Sequence, residues 1–272
     1  MYKVGVRIVG SLRLEIHNPE HTERIIFLNP LASNYSIWTT FTSILKQYYE
    51  VVLIDYPGYG KSEYEPIKSV ELLSNRLLEE FQKLEEKPTH LIGYSFGSWV
   101  AQNLAISNAI NIKSLSLIGS SAHVYQLGIF MADSWLEILN TCGIESMLKQ
   151  LAYWSFHPLT FQRNPEILEV YVRQSMKGLN NIDALKDQIN AIANYRESVS
   201  LNDIKVPTLI IRGKDDISYP YFCSEELLDN IRDTKYFEVE NSAHSTLWEQ
   251  PKKVIKLITS FLEELSENVV NL

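Results

Sequence analysis

The 272-residue chain has few cysteines, a deficit of basic residues and no long apolar run. Its two cysteines, Cys142 and Cys223, are too few for a disulfide framework, and neither has neighbours at metal-ligand spacing. We therefore expect two free thiols and no metal site. With 25 basic against 33 acidic residues, the formal net charge is -8. Nucleic acid and anionic membrane surfaces require a basic patch, so neither is an expected partner.

Targeting and membrane-spanning segments are not expected either. No stretch approaches the roughly 18 consecutive apolar residues that a transmembrane helix needs. The first residues, MYKVGVRIVG, lead directly into alternating strand-like sequence, without the basic region, apolar run and cleavage site of a secretory signal. The expected location is the cytoplasm.

The sequence does contain short apolar runs that alternate with helical patterns. Two early runs, residues 4–10 and 11–17, are predicted to pair as antiparallel strands. Six later runs are typical of parallel strands covered by helices on both faces: RIIFLN, YEVVLIDYPG, THLIGYS, SLSLIGS, PTLIIRG and KYFEVEN. Because strand and helix alternate, the predicted fold is a doubly wound α/β sheet.

This alternation stops between about Ala122 and Ser200. Helical patterns rich in Tyr, Trp, Phe and Met follow one another there without a convincing strand. We predict that residues 122–200 form a helical cap inserted into an α/β core made of residues 1–121 and 201–272. Such a cap would lie over the carboxyl edge of the sheet, where open α/β sheets bind ligands.

A candidate nucleophile lies in the sequence Gly93-Tyr94-Ser95-Phe96-Gly97, between a predicted strand and a predicted helix. Two glycines in this context allow a turn tight enough to hold the central serine in a strained, exposed position. The N-terminus of the following helix would stabilise negative charge beside it. The pentapeptide by itself also fits an ordinary glycine-rich turn, so its meaning depends on residues further along the chain.

A nucleophilic serine needs a base that takes its proton and an acid that orients the base. Asp215 and Asp216 follow a predicted buried strand, and His244 lies in the loop before the last helix. The chain order Ser, Asp, His is one in which such triads are found. Position favours His244 over the other histidines, of which His123 follows a core strand and is expected near the pocket.

Four segments in order resemble the α/β-hydrolase superfamily along nearly the whole chain: DYPGYGKS, GYSFG, GKDDISYP and NSAHSTLWEQP. The resemblance implies the α/β-hydrolase fold and a triad of Ser95, Asp216 and His244. It selects Asp216 over the preceding aspartate because the acid of the family lies three residues after a strand-end glycine, here Gly213, and four before a proline.

One segment, IIFLNPLASNYSIW, departs from the family pattern, since it has Asn29-Pro30 where His-Gly is usual. The resemblance makes the backbone N–H groups of Leu31 and Phe96 the expected oxyanion hole. The segment is similar to the Asn-Ser-Leu-Gly of 3-oxoadipate enol-lactone hydrolases. The sequences YYEVVLIDYPGYGKS and GYSFG are similar to those of pimeloyl-carrier-protein methyl ester esterases.

The resemblance implies a serine hydrolase that cleaves an ester, thioester or lactone through an acyl-enzyme, with neither cofactor nor metal. The expected partner is a small acyl compound, either free or attached to an acyl-carrier protein. The candidate substrate-binding residues are Tyr94, His123, Phe130, Trp135 and Trp154. Two alternatives stay open: the same triad can serve a lyase, a carbon–carbon bond hydrolase or an acyltransferase, and the fold can bind a ligand without turnover.

Overall fold

The computed structural model describes residues 4–9, 12–196 and 199–265. Within these ranges one sheet contains the strands β1 (Val4–Val9), β2 (Leu12–His17), β3 (Arg24–Leu28), β4 (Glu50–Ile54), β5 (Thr89–Tyr94), β6 (Ile112–Ile118), β7 (Thr208–Gly213) and β8 (Thr234–Val239). Their spatial order is β1-β2-β4-β3-β5-β6-β7-β8. Strand β2 is antiparallel to both β1 and β4, and every other neighbouring pair is parallel. The predicted fold class is therefore confirmed, while Gly10 and Ser11, in the predicted early strands, lie outside the described residues.

Strands β3, β4, β5 and β7 are buried on both faces, as their unbroken apolar runs predicted, whereas the edge strand β8 exposes Lys235 and Phe237. In β3 alternate side chains enter different clusters: Ile26 and Leu28 pack on one face of the sheet, and Ile25 and Phe27 on the other. Strand side chains alternate between faces, so a run that is apolar at every position requires cover on both sides.

Helices provide this cover, and their bounds are α1 (Thr39–Leu45), α2 (Val70–Phe81), α3 (Phe96–Ile106), α4 (Gln126–Cys142), α5 (Ile144–Ser155), α6 (Pro158–Arg163), α7 (Ile167–Gly178), α8 (Ile182–Asn194), α9 (Tyr221–Asn230), α10 (Thr246–Glu249) and α11 (Pro251–Leu265). Helix α2 begins after Ser69, whose side chain accepts a hydrogen bond from the N–H of Leu72 and so satisfies one free donor of the first turn. None of the helices in the described ranges combines the length and apolar character needed to cross a bilayer.

Five helices, α4 to α8, lie between β6 and β7 in the region predicted as a cap. Helix α4 packs against α5 and α8, and α5 packs against α7. Their buried side chains belong to the same apolar cluster as one face of the sheet. The helices thus share a continuous core with the sheet, and the division into a core and a cap at residues 122 and 200 stays a prediction.

Candidate active site

Ser95 lies in the turn between β5 and α3, and its backbone has φ 52° and ψ -120°. A positive φ is strained for a residue with a side chain, and such strain persists only where the surroundings enforce it. The surroundings here are tight, because a Cβ on Gly93 would lie 2.5 Å from the carbonyl oxygen of Gly97, and one on Gly97 would overlap the carbonyl of Leu28. The two glycines are therefore required for the helix to approach the strands closely enough to form this turn.

His244 links Ser95 to Asp216. Its Nε2 lies 2.8 Å from Ser95 Oγ, and its Nδ1 lies 2.9 Å from Asp216 Oδ2. All three side chains are buried, with Ser95, His244 and Asp216 exposing 9%, 8% and 2% of their surface. When Nδ1–H donates its hydrogen bond to Asp216, this tautomer leaves Nε2 free to accept the proton of the serine. The arrangement has the geometry of a base held ready beside a nucleophile.

The structure separates the two adjacent aspartates. The second oxygen of Asp216 accepts hydrogen bonds from the backbone N–H groups of Ser218, at 2.8 Å, and Tyr219, at 2.9 Å. Asp215 instead exposes 48% of its side chain and faces His157 Nε2 at 3.5 Å. Asp216 is therefore the aspartate that contacts His244, and its role as the triad acid stays a prediction.

Asn29, which stands where the family usually has histidine, bridges two parts of the core. Its side-chain N–H donates to the carbonyl of Ile54 at 2.7 Å, and its oxygen accepts the indole N–H of Trp38 at 2.9 Å. Because both the N–H and the oxygen of this buried amide form hydrogen bonds, asparagine can be buried stably where the family usually has histidine. The departure from His-Gly is thus accounted for by packing around β3 and β4.

The two residues expected to form the oxyanion hole lie on either side of Ser95. Leu31 follows β3 and lines the space in front of the serine. Phe96 is the first residue of α3, and N–H groups in the first turn of a helix have no acceptor within that helix. After Leu31, the N–H of Ala32 donates to Gln188 Oε1 in α8 at 3.3 Å, and the hydroxyl of Tyr59 donates to the same oxygen at 2.8 Å. This loop is therefore held by a cap helix, and its role as an oxyanion hole stays a prediction.

Two cavities meet at Ser95 and share the lining residues Leu31, Ser95, Leu151, Ser155 and His244. The cap cavity has about 50 Å³ and is also lined by Val124, Tyr125, Gly128, Met131, Trp135, Ile192, Ser218 and Tyr219. The loop cavity has about 30 Å³ and is also lined by Pro30, Ser33, Ile37, Tyr94, Tyr171, Ser245 and Trp248. A substrate bound at the serine can therefore extend in two directions.

A larger cavity of about 490 Å³ lies elsewhere, at the start of β3 and β5. It is lined by Arg24 and Thr89 and by none of the triad candidates. Ligands of open α/β sheets bind beyond the carboxyl ends of the strands, which is the opposite edge. The site near Ser95 is therefore the better candidate despite its smaller volume.

The five candidate substrate-binding residues differ in position. Trp135 lines the cap cavity and Tyr94 the loop cavity. His123 lines neither of these two cavities. Its Nδ1 lies 3.7 Å from a carboxylate oxygen of Glu226. Phe130 and Trp154 line a separate groove of about 110 Å³ along α4 and α5, and Phe130 is 59% exposed. Of these residues only Trp135 and Tyr94 are in a position to contact a group attached to Ser95.

Tyr94 also supports the histidine. Its hydroxyl donates to the backbone carbonyl of His244 at 2.7 Å, and the two rings lie 5.7 Å apart. Burial raises the pKa of Tyr94 well above its usual value, so the hydroxyl stays a donor. Tyr94 thus positions the histidine in addition to lining a cavity.

Sequence reasoning missed Tyr219 and Ser155, which both line the cap cavity. Tyr219 could have been found, since it lies three residues after Asp216 within the segment GKDDISYP. Ser155 ends helix α5, and no local motif distinguishes it from other serines. In the described part of the chain, no three His, Cys, Asp or Glu side chains converge as a metal site would require.

Comparison with known proteins agrees with this geometry. The model of the alpha/beta hydrolase family matches residues 25–257. The chain is 24% identical over 260 residues to 3-oxoadipate enol-lactonase 1 of Acinetobacter baylyi, with 94% of each chain covered. It is 25% identical over 264 residues to monoacylglycerol lipase ABHD6 of Mus musculus, covering 90% of this chain and 76% of that protein. The chain therefore belongs to the alpha/beta hydrolase family.

Solved structures support the same fold. A hydrolase from Pseudomonas aeruginosa PA01 superposes with a TM-score of 0.83 at 20% identity, covering 96% of this chain and 98% of the other. At this level of identity the likeness concerns the fold, and the chemistry has to be argued from the site itself.

Proposed function

We propose that the protein is a serine hydrolase that cleaves an ester, thioester or lactone with a short acyl group. The observation that carries the proposal is the continuous hydrogen-bonded chain from Asp216 through His244 to Ser95, open to two cavities. The relatives named as an enol-lactonase and a monoacylglycerol lipase agree with a reaction at an ester or lactone carbonyl.

In the proposed reaction, Ser95 Oγ attacks the carbonyl carbon while His244 Nε2 takes its proton. The oxygen of the tetrahedral intermediate receives hydrogen bonds from the N–H groups of Leu31 and Phe96. As the intermediate collapses, His244 gives the proton to the departing alcohol or thiol, and an acyl-Ser95 ester remains. A water molecule then attacks this ester, with His244 again as base, and releases the acid. Asp216 holds the imidazole in the required tautomer throughout.

The size and lining of the cap cavity favour a short apolar acyl group. A volume of about 50 Å³ is far below the roughly 300–1,000 Å³ of sites that bury drug-sized ligands, so it favours a short acyl chain. Met131, Trp135 and Leu151 make most of the wall apolar. Attachment of the substrate to an acyl-carrier protein, and the cytoplasmic location, stay predictions.

The remaining alternatives have less support. A ligand-binding homologue without turnover has no need for the hydrogen bonds from Ser95 to His244 and from His244 to Asp216, and both are present. A lyase, carbon–carbon bond hydrolase or acyltransferase would use the same three residues, and no contact described above favours one of these reactions over hydrolysis.

The test combines a fluorophosphonate probe with p-nitrophenyl esters of acetate, butyrate, hexanoate and octanoate. We expect the wild type to be labelled and to hydrolyse acetate and butyrate fastest. Ser95→Ala and His244→Ala should lose turnover by about 10⁶-fold, and Ser95→Ala should lose labelling. Ser43→Ala is the control, because this serine is exposed on α1 and lines neither cavity. A folded wild type that is neither labelled nor active would contradict the proposal.

A further inference from the structure

Tyr219 lines the cap cavity together with Ser95 and His244, and the triad does not use its hydroxyl. Its backbone is held on both sides, since its N–H donates to Asp216 Oδ1 at 2.9 Å and its carbonyl accepts from Arg212 Nε at 3.0 Å. Its ring lies 5.1 Å from that of His244 and 6.1 Å, edge-on, from that of Trp99. The position of the hydroxyl is thus determined by the same loop that supplies the triad acid.

The other hydroxyl groups lining the cap cavity already have protein acceptors. Ser155 Oγ donates to the carbonyl of Leu151 at 2.7 Å, and Ser218 Oγ donates to the carbonyl of Trp154 at 3.2 Å. The hydroxyl of Tyr125 donates to Glu226. These three groups are therefore not free to recognise a substrate.

Tyr219 differs because it lies beside the nucleophile in the same cavity. Burial raises the pKa of Tyr219 strongly, and the nearby Ser95 side chain offsets part of that rise, so the hydroxyl keeps its proton and can donate it in a hydrogen bond. Within the described ranges, no carbonyl or carboxylate of the protein accepts a hydrogen bond from this hydroxyl. Once Ser95 is acylated its oxygen becomes a poor acceptor, and the hydroxyl is then available to the acyl group.

The sheet order decides which part of a substrate this hydroxyl meets. Leu31 follows β3 and Tyr219 follows β7, and these strands lie on opposite sides of β5, from which Ser95 projects. A carbonyl oxygen directed at Leu31 therefore points away from Tyr219. In the proposed reaction the acyl chain enters the cap cavity, so the atoms next to its carbonyl are the ones expected to meet Tyr219, which lines that cavity with Ser95.

We infer that Tyr219 is a specificity-determining residue that favours acyl groups with a hydrogen-bond-accepting oxygen on the carbon next to the scissile carbonyl. This inference rests on the proposed function. The chemical class includes alkoxy and hydroxy acyl esters. The wall of the cavity is otherwise mostly apolar, and burying a substrate oxygen without a hydrogen-bond donor costs free energy. A free Tyr219 hydroxyl supplies that donor and so favours acyl groups that carry such an oxygen.

The test compares two esters of equal length, p-nitrophenyl methoxyacetate and p-nitrophenyl butyrate, which differ by an ether oxygen in place of a methylene. Each kcat/KM is divided by the rate of hydroxide hydrolysis of that ester in the same buffer. We expect the wild type to prefer methoxyacetate, and Tyr219→Phe to lower the methoxyacetate-to-butyrate ratio about five- to tenfold. The ratio does not depend on the fraction of the protein that is folded.

Tyr195→Phe is the matched control, because its ring also packs against Trp99 but its hydroxyl contacts Asn103 and it lines neither cavity. An unchanged ratio in Tyr219→Phe, or complete loss of both activities, would overturn the inference and leave the hydrolase proposal standing. If the wild type hydrolysed neither ester and Ser95 were not labelled, the proposed function would fail, and the inference with it.

Discussion

A single carboxylate, that of Glu249 in α10, joins the loop of the proposed base to the cap. Its Oε1 accepts hydrogen bonds from the N–H of His157 and the hydroxyl of Thr160, both at 2.7 Å. Its Oε2 accepts from the hydroxyl of Ser242 at 3.1 Å and from the N–H of Ala243 at 2.7 Å. Because each oxygen serves a different segment, we expect Glu249→Gln to free one segment and Glu249→Ala to free both.

The magnitude follows from the number of donors that lose an acceptor. A glutamine keeps one oxygen and turns an NH₂ group toward the other two donors, so two hydrogen bonds to a charged group are lost. At about 1.5 kcal/mol each, the lower end of the range because Glu249 is partly exposed, the loss in free energy of unfolding is about 3 kcal/mol. For a chain of this size that corresponds to a fall in Tm of about 6–10 °C. Glu249→Ala should lower the free energy of unfolding more than Glu249→Gln. Both variants should lower kcat, because His244, which follows Ala243, loses the support of its loop.

The assay is urea unfolding followed by tryptophan fluorescence, together with p-nitrophenyl butyrate hydrolysis. Glu240→Gln is the control, because its ion pair with Lys214 is exposed to solvent and should contribute little to stability. If both Glu249 variants lost less than about 1 kcal/mol, or if glutamine cost as much as alanine, the argument that each oxygen supports one segment would be refuted.

Three further predictions concern residues of the core and the site. Asp216→Asn should lower kcat by about 10⁴-fold by favouring the wrong histidine tautomer, whereas Asp215→Asn should change kcat less than about threefold. Steady-state kinetics on one ester measures both effects. A larger loss in Asp215→Asn than in Asp216→Asn would refute the assignment. Asn29→Ala should lower the free energy of unfolding by about 2–4 kcal/mol, because it leaves the carbonyl of Ile54 and the indole N–H of Trp38 without this partner. Urea titration measures the loss. A value below about 1 kcal/mol would show that these two groups form other hydrogen bonds. Burial raises the pKa of Cys223 to about 12, so at pH 8 a thiol reagent should modify only the exposed Cys142 in the native protein. In urea it should modify both thiols. Rapid modification of the folded Cys142→Ser variant would contradict this expectation.

The chain positions that could be predicted are those whose structure depends on near neighbours. The strands β3 to β8 were predictable because each is a short apolar run between turn residues. The turn at Ser95 was predictable because Gly93 and Gly97 occur between a strand and a helix, and both are needed for local backbone contacts. The motif spacing that selected Asp216 depends in the same way on the short loop after β7.

The lining of the cavities could not be predicted in this way. Phe130 and Trp135 are both large, apolar residues of α4, yet Phe130 is exposed and Trp135 lines the cap cavity. Five positions along a helix turn the side chain by about 140°, so the two residues necessarily face different directions. Which of them faces Ser95 depends on how α4 packs against α5 and α8, and this packing is absent from the helix's own sequence.

By itself, then, the sequence determined the type of each main element, the strained turn of the serine and the order of the candidate triad, because all of these depend on short-range backbone geometry and on spacing along the chain. The tertiary structure alone decided that Tyr219 lies beside Ser95, that Asn29 bridges Trp38 and the fourth strand, and that one carboxylate holds the loop of the base to the cap. The contacts between Asn29 and Ile54, between Ser95 and Tyr219, and between Glu249 and His157 join segments far apart in the chain. They form only once the strand order has brought the loops after β3, β5, β7 and β8 to one edge of the sheet.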